Sequence, residues 1–212
     1  MEPLSTILEE LVQGAAEVVR KGGIICYPTE TLYGIGGSPY FPEVIDRIHA
    51  LKGRGQPKPL LVLTDCWERA LPWIQEITPV HHRLMTHEPP LPVTLLFIST
   101  DKVPEALRVG SPYVGIRRTT SPIAQRIIAR SDSLLISTSA NPTGEPPPLT
   151  YEEISPEILA GVDFAIDIDQ PLLGVPSTVL RVENGKPVIL REGALTQEDI
   201  LRILNQSEQD SA

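Results

Sequence analysis

The chain has 212 residues, 41% of them hydrophobic, and a formal net charge of -9. That length and apolar content suffice for one sizeable core, and the acidic balance argues against broad nonspecific binding to nucleic acid or anionic membrane while leaving room for a local basic cleft. No apolar run reaches the length of a membrane span, the first residues lack the basic start and apolar stretch of a secretory signal, and Cys26 and Cys66 have no framework spacing, so reduced thiols in a cytoplasmic protein are expected.

Apolar residues Leu4, Leu8, Leu11, Val12, Ala15, Val18 and Val19 recur at helical spacing. Thr6 and Glu9 could form a capping box, and Gly22-Gly23 ends the helix. Residues 24–27 read as a short buried strand and 28–37 as a loop. Pro42 opens a second helix whose buried stripe is Val44, Ile45, Ile48 and Leu51. A loop over 52–59 precedes a strand over 60–63. Helices are predicted over 66–74 and 79–86, strands over 93–98 and 113–117, a helix over 122–129 and a strand over 134–138. The stiff connector 145–148 leads to a helix over 151–159. Strands follow over 164–168, 178–182 and 188–191, with Asn184-Gly185 between the last two as a strong hairpin signal. Thr196 caps a final helix to Leu204, and 205–212 read as a frayed tail. Interleaved helices and strands, with a hairpin breaking strict alternation, predict an α/β fold: a single domain over 1–212, core about 8–204, with a twisted mixed sheet and helices packed on it.

Hydroxyls and cations concentrate in segments that adjoin the buried strands. Lys52-Gly53-Arg54, with Lys58 close behind, lies in a glycine- and proline-rich loop of an otherwise acidic chain. Arginine can grip phosphate oxygens through two donors, and lysine offers a point charge. A solvated basic turn is the alternative. Ser137-Thr138-Ser139-Ala140-Asn141 closes an apolar strand, where open α/β sheets favour ligands, although an Asx turn at Asn141 before Pro142 accounts for the same residues. In Pro28-Thr29-Glu30-Thr31-Leu32-Tyr33-Gly34, Thr29, Thr31 and Tyr33 could hydrogen-bond a small polar substrate, and Glu30 could pair with a cation or metal or simply satisfy backbone donors. Arg117 and Arg118 alternate across one strand, so one of them faces the functional side, and Arg117 is the candidate. Arg191 ends the last strand in a similar position. Surface ion pairs are the alternative for each. These groups suit a triphosphate. The chain has no Walker-type loop, no dinucleotide glycine fingerprint and no nucleophile elbow. His49, His81, His82 and His87 lack ligand spacing, and the few aromatics make no stacking platform for bases.

From about Gly22 to Gly193 the chain resembles the YrdC-type threonylcarbamoyl-AMP synthases. The Pro-Thr-Glu-Thr loop, the Lys-Gly-Arg loop, the Ser-Ala-Asn turn, Ser177-Thr178-Val179 and Leu190-Arg191-Glu192-Gly193 occur in the family's order. Each is weak alone and the set is specific. The resemblance is to the short, single-domain form and implies a twisted sheet around a concave, positively charged cavity. By similarity, Thr31, Arg117, Ser137 and Ser177 would hold threonine. Lys52, Arg54, Lys58, Thr94, Ser139, Asn141 and Arg191 would hold ATP, with Lys52 and Arg54 nearest the reacting phosphates as the catalytic pair. Pro90-Leu91-Pro92 stands where Pro-Gly-Pro is frequent, Gly55 follows the Lys-Gly-Arg motif where proline is common, Leu63 stands where some members carry histidine, Pro147 replaces a hydroxyl residue and Pro176 a glutamate.

The implied reaction joins L-threonine, bicarbonate and ATP into threonylcarbamoyladenylate and pyrophosphate, for threonylcarbamoyladenosine modification of tRNA. Mg2+ would arrive with ATP, because the sequence shows no dedicated cage. The loop over 52–59 is a candidate lid over labile intermediates. Implied partners are tRNA and downstream threonylcarbamoyl-transfer proteins, with no membrane. Two other readings stay open: a paralogue acting on another carbamoyl group, as in the related domain of hydrogenase-maturation proteins, and a noncatalytic RNA-binding module, which the acidic charge and scarce aromatics oppose.

Overall fold

The computed structural model describes residues 6–53, 55–168 and 170–209. Helix α1 (Thr6–Arg20) buries Val12, Ala15, Ala16 and Val19 along one stripe. Thr6 lies inside the helix, so the expected Thr6/Glu9 box is not its cap, and Leu4 lies outside the described residues. Gly22, at φ 75°, turns the chain into strand β1 (Ile25–Pro28).

A strand stands where the sequence reads as loop. β2 (Tyr33–Gly36) is fully buried and antiparallel to β1. Helix α2 (Pro42–Leu51) has the predicted bounds and buries Val44, Ile45 and Ile48. Beyond it come β3 (Leu61–Thr64) and α3 (Trp67–Ala70), which gives way to a 3-10 turn at Leu71–Trp73. The single helix expected over 66–74 is split because Pro72 has no amide hydrogen to continue the α ladder. In α4 (Pro79–Met85) the Thr78 and His81 side chains cap each other's backbone amides. β4 (Val93–Ile98), a one-turn α5 (Glu105–Arg108) and β5 (Tyr113–Arg118) follow. α6 (Pro122–Ser131) starts where Ser121 Oγ accepts from the Ala124 amide, and β6 (Leu135–Ser139) follows it.

The helix expected over 151–159 begins later, as α7 (Pro156–Gly161). Ser155 Oγ accepts from the Ile158 amide, and Pro156 fits the first turn but not a helix interior. β7 spans only Phe164–Ala165. β8 (Thr178–Glu183) and β9 (Lys186–Arg191) form the predicted hairpin, with Asn184 at φ 49° and Gly185 at φ 71°. The Asp199 amide donates to Thr196 Oγ1 at the start of α8 (Gln197–Gln209), which continues past the expected limit at Leu204.

Among the described residues, one sheet of nine strands runs β7-β1-β2-β6-β3-β5-β4-β8-β9. It is mixed: β1–β7, β3–β5 and β4–β8 are parallel and the remaining pairs antiparallel. The larger core lies on one face, where Val62, Leu95, Ile116 and Ile136 meet Ile45 and Ile48 of α2, Leu84 of α4 and Ile200 of α8. On the other face Ile25, Tyr27, Leu63 and Leu135 pack against Val12 and Ala15 of α1 and Ile123 and Ile127 of α6. On this second face, Leu61, Leu63, Ser137, Ser139 and Arg117 follow the period of two along their strands, so the apolar floor beneath α6 passes into a polar floor beyond it.

Candidate active site

A cleft of about 390 Å3 opens over that polar floor. Its lining draws on parts of the chain far apart in sequence. Thr29 and Thr31 come from the β1–β2 connection and Arg117 from β5. Ser137, Ser139 and Asn141 come from the end of β6 and the turn after it. Ser177 precedes β8, and Arg191 ends β9. The sheet register explains the convergence: Leu61 of β3 stands opposite both Ser137 of β6 and Gly115 of β5, and Val179 of β8 stands opposite Thr94 of β4 and Arg191 of β9.

On one side of the cleft the Thr31 hydroxyl accepts from Arg117 Nη1 at 3.1 Å and meets Thr29 Oγ1 at 2.9 Å. Glu30 turns away behind this wall to pair with Arg117 at 3.2 Å, the partner being a cation of the chain itself. Arg118 points to the opposite face and bonds Glu88. On the other side Ser177 Oγ lies 2.9 Å from Thr94 Oγ1, and Arg191 Nη2 donates to the Ser177 carbonyl at 2.8 Å. Desolvation where the Arg191 guanidinium enters the cleft, and then the charge of Arg117, lower its pKa. Among the described residues, the charged groups of the lining are the guanidiniums of Arg117 and Arg191 and the carboxylate of Glu145.

Lys52 caps the C-terminus of α2 and is 2% exposed. Its ammonium is caged by the 139–141 turn: Nζ donates to the Ser139 carbonyl at 2.7 Å, to Asn141 Oδ1 at 3.0 Å and to the Asn141 carbonyl. It stands behind the lining, not on it. Thr94, 1% exposed, likewise stands behind Ser177. Lys58 is exposed and does not line the cleft, and Arg54 lies outside the described residues.

Leu63 is fully buried in the apolar cluster with Ile123 and Ile127, so this position belongs to the core. Pro147 and Pro176 do line the cleft and make those parts of its wall rigid and apolar. Glu145 and Leu61 line it too, unanticipated from sequence. Glu145 carried a usable signal, since it stands four residues past Asn141 and its carbonyl accepts from Asn141 Nδ2. Leu61 carried none, because it reads as an ordinary strand residue. Cys26 is buried, and burial pushes its thiol up to about 12, while Cys66 is half-buried, and both are unpaired. No described helix is long and apolar enough to cross a membrane.

Residues 17–193 match the Sua5/YciO/YrdC family model, described as telomere recombination, and the chain belongs to that family. It is 29% identical over 200 residues to the threonylcarbamoyl-AMP synthase of Pyrococcus abyssi, a match that covers 94% of this chain and 59% of the relative. The Pyrococcus abyssi Sua5 structure solved with L-threonine superposes with a TM-score of 0.85 at 29% identity, over 91% of this chain and 57% of that one. Escherichia coli YciO superposes with a TM-score of 0.79 at 26% identity, over 91% of this chain and 93% of that one. The chain therefore spans about three-fifths of the length of the Pyrococcus relative.

Proposed function

We propose that this chain forms L-threonylcarbamoyladenylate and pyrophosphate from L-threonine, bicarbonate and ATP, in the cytoplasm, for threonylcarbamoyladenosine modification of tRNA. The observation that carries the reading is the convergence of Thr31, Arg117, Ser137, Ser139, Asn141, Ser177 and Arg191 on one cleft. The names of the relatives and the threonine bound in the Pyrococcus structure support it.

The chemistry needs little from a general base once the threonine amine is neutral. Its nitrogen attacks the bicarbonate carbon, water is lost and a carbamate forms. A carbamate oxygen then attacks the α-phosphorus of ATP in line, the bond to the bridging oxygen breaks, and pyrophosphate leaves with the electron pair. The protein's part is alignment and neutralisation of charge. Arg117, with the hydroxyls of Thr31, Ser137 and Ser177, would hold threonine. Ser139, Asn141 and Arg191, with Arg54, would hold the nucleotide, and Lys52 would fix the turn that presents Ser139 and Asn141; Lys58, outside the cleft lining, takes no part in this scheme. No cluster of three or more His, Cys, Asp or Glu side chains forms a metal site among the described residues, so Mg2+ in this scheme enters as part of the ATP substrate. tRNA and threonylcarbamoyl-transfer proteins would take the product.

The test is purified protein with ATP, bicarbonate and L-threonine, read by mass spectrometry for the mixed anhydride. The adenylate should appear with all three substrates and vanish when any one is omitted. ATP consumption that ignores threonine would remove the assignment.

A further inference from the structure

The chemistry above gives Glu30 no task, yet its carboxylate is tucked behind the cleft wall with a side-chain exposure of 13%. Its two oxygens are committed differently. Oε2 accepts from Thr119 Oγ1 at 2.6 Å. Oε1 is buried, has no hydrogen-bond donor among the described residues, and meets only the charge of Arg117, 3.2 Å from Nη1. Thr119 is itself fixed, because its amide donates to the Thr64 carbonyl at the end of β3 and its hydroxyl accepts from the Ser121 amide. The Glu30 carbonyl accepts from the Leu173 amide. Glu30 is therefore held from both its backbone and its side chain.

The consequence falls on Arg117. Nη1 donates to Thr31 Oγ1 and lies against Glu30, so this end of the guanidinium is taken up by protein. Nε is buried and has no hydrogen-bond partner among the described residues, and Nη2 makes no hydrogen bond to them either. A hydrogen bond from Nη2 to a carboxylate is charge-assisted. Nε is sealed from the cleft, so Nη2, which is neither hydrogen-bonded to the described residues nor fully buried, is the donor that Arg117 can offer a ligand in the cleft it lines.

We propose that Glu30 is a positioning residue: by holding Arg117 through Nη1, it aims Nη2 at a carboxylate ligand, which in the proposed function is the α-carboxylate of threonine. This rests on that function, and the two can fail separately. Glu30 acts through Arg117 and touches no substrate itself, so its loss shifts the orientation of one subsite and leaves the nucleotide side alone.

The experiment is calorimetric titration of the protein with L-threonine and with L-threoninamide, which lacks the carboxylate charge, together with KM for threonine and for ATP. The proteins are wild type, Glu30→Gln and Thr119→Val. Wild type should prefer threonine over the amide by about 10²-fold, and Glu30→Gln should reduce that preference by about 10-fold, the scale of a charge-assisted pair. KM for threonine should rise with it while KM for ATP stays within about 2-fold. Thr119→Val, which frees one side of Glu30, should move the preference in the same direction by less, and it carries the test if Glu30→Gln fails to fold. An unchanged preference in the folded variants overturns the positioning role and leaves the proposed function standing. Wild-type protein that binds no threonine overturns both.

Discussion

The Lys52 ammonium donates to Asn141 Oδ1 at 3.0 Å, across 89 residues of sequence, and ties the end of α2 to the turn that follows β6. The bond is reciprocated by the backbone, since the Thr143 amide donates to the Lys52 carbonyl. A buried cation with its donors spent on carbonyls and a carboxamide fixes where Ser139 and Asn141 can be, and it places positive charge beneath their part of the cleft.

Lys52→Met should lose both functions of that cage. The carbonyls of Ser139 and Asn141 would be left without their donor, at a cost of about 1–3 kcal/mol for each buried group left unsatisfied. The turn would shift, and threonine-dependent pyrophosphate release should fall by about 10²-fold. Thermal denaturation should show a lowered midpoint in the same protein. A variant that keeps its midpoint but loses turnover would assign Lys52 to direct phosphate contact instead.

Ser177→Ala removes the hydroxyl between Thr94 Oγ1 and Arg191 and leaves Thr94, 1% exposed, without that partner. The Ser177 carbonyl still accepts from Arg191, so Arg191 keeps its anchor. KM for threonine should rise by about 10-fold, the scale of one lost hydrogen bond, with a smaller change for ATP. Equal shifts in the two constants would place Ser177 outside the amino-acid subsite.

The parts of the fold legible in the sequence were those whose signal is local. Helix α2 is marked by Pro42 at its first position and an apolar stripe, and the β8–β9 hairpin by Asn184-Gly185. β2 was hidden because Tyr33-Gly34-Ile35-Gly36 offers glycine where strand propensity asks for branched side chains. At the site, the alternation that separates Arg117 from Arg118 could be read along one strand. The cage around Lys52 could not, because it depends on β6 and α2 meeting, and nothing in Lys-Gly-Arg distinguishes a caged ammonium from one aimed at phosphate. Thr119 gave no signal at all, since its role exists only beside Glu30.

The Asp163 carboxyl sets an acid limit on one edge of the sheet. It accepts from Arg47, and from the Ile24 amide at 2.7 Å just before β1, and the hydrogen bond from Arg47 leads the effects that hold its pKa below the usual carboxylate value. A depressed folded-state pKa contributes stability above the unfolded-state value of about 3.9 and loses it as pH falls through the folded-state value. Asp163 and Arg47 are both 42% exposed, so solvent screening keeps the contribution to about 1 kcal/mol or less. Urea denaturation of wild type and Asp163→Asn should differ at pH 7, and the gap should narrow as pH falls below the unfolded-state value of about 3.9. A gap that widens on acidification would contradict this sign.

Gly36→Ala should be the most damaging small substitution in the sheet. A Cβ at Gly36 would lie 1.7 Å from the Ile136 carbonyl oxygen, an overlap that only backbone movement can relieve. The moving part would be the contact between β2 and β6, where Gly34 pairs with Ser139 and Ile35 with Thr138. Overpacking a core costs about 1–3 kcal/mol even where side chains can adjust, and a main-chain oxygen adjusts less, so the loss should be at least about 2 kcal/mol. Because Ser139 and the turn held by Lys52 ride on the same strand, threonine binding should weaken together with the denaturation midpoint. Gly55→Ala supplies the comparison: its Cβ meets nothing within 4 Å, and its stability should stay within about 0.5 kcal/mol of wild type. Equal stability of the two variants would mean that β2 and β6 do not approach as closely as this geometry requires.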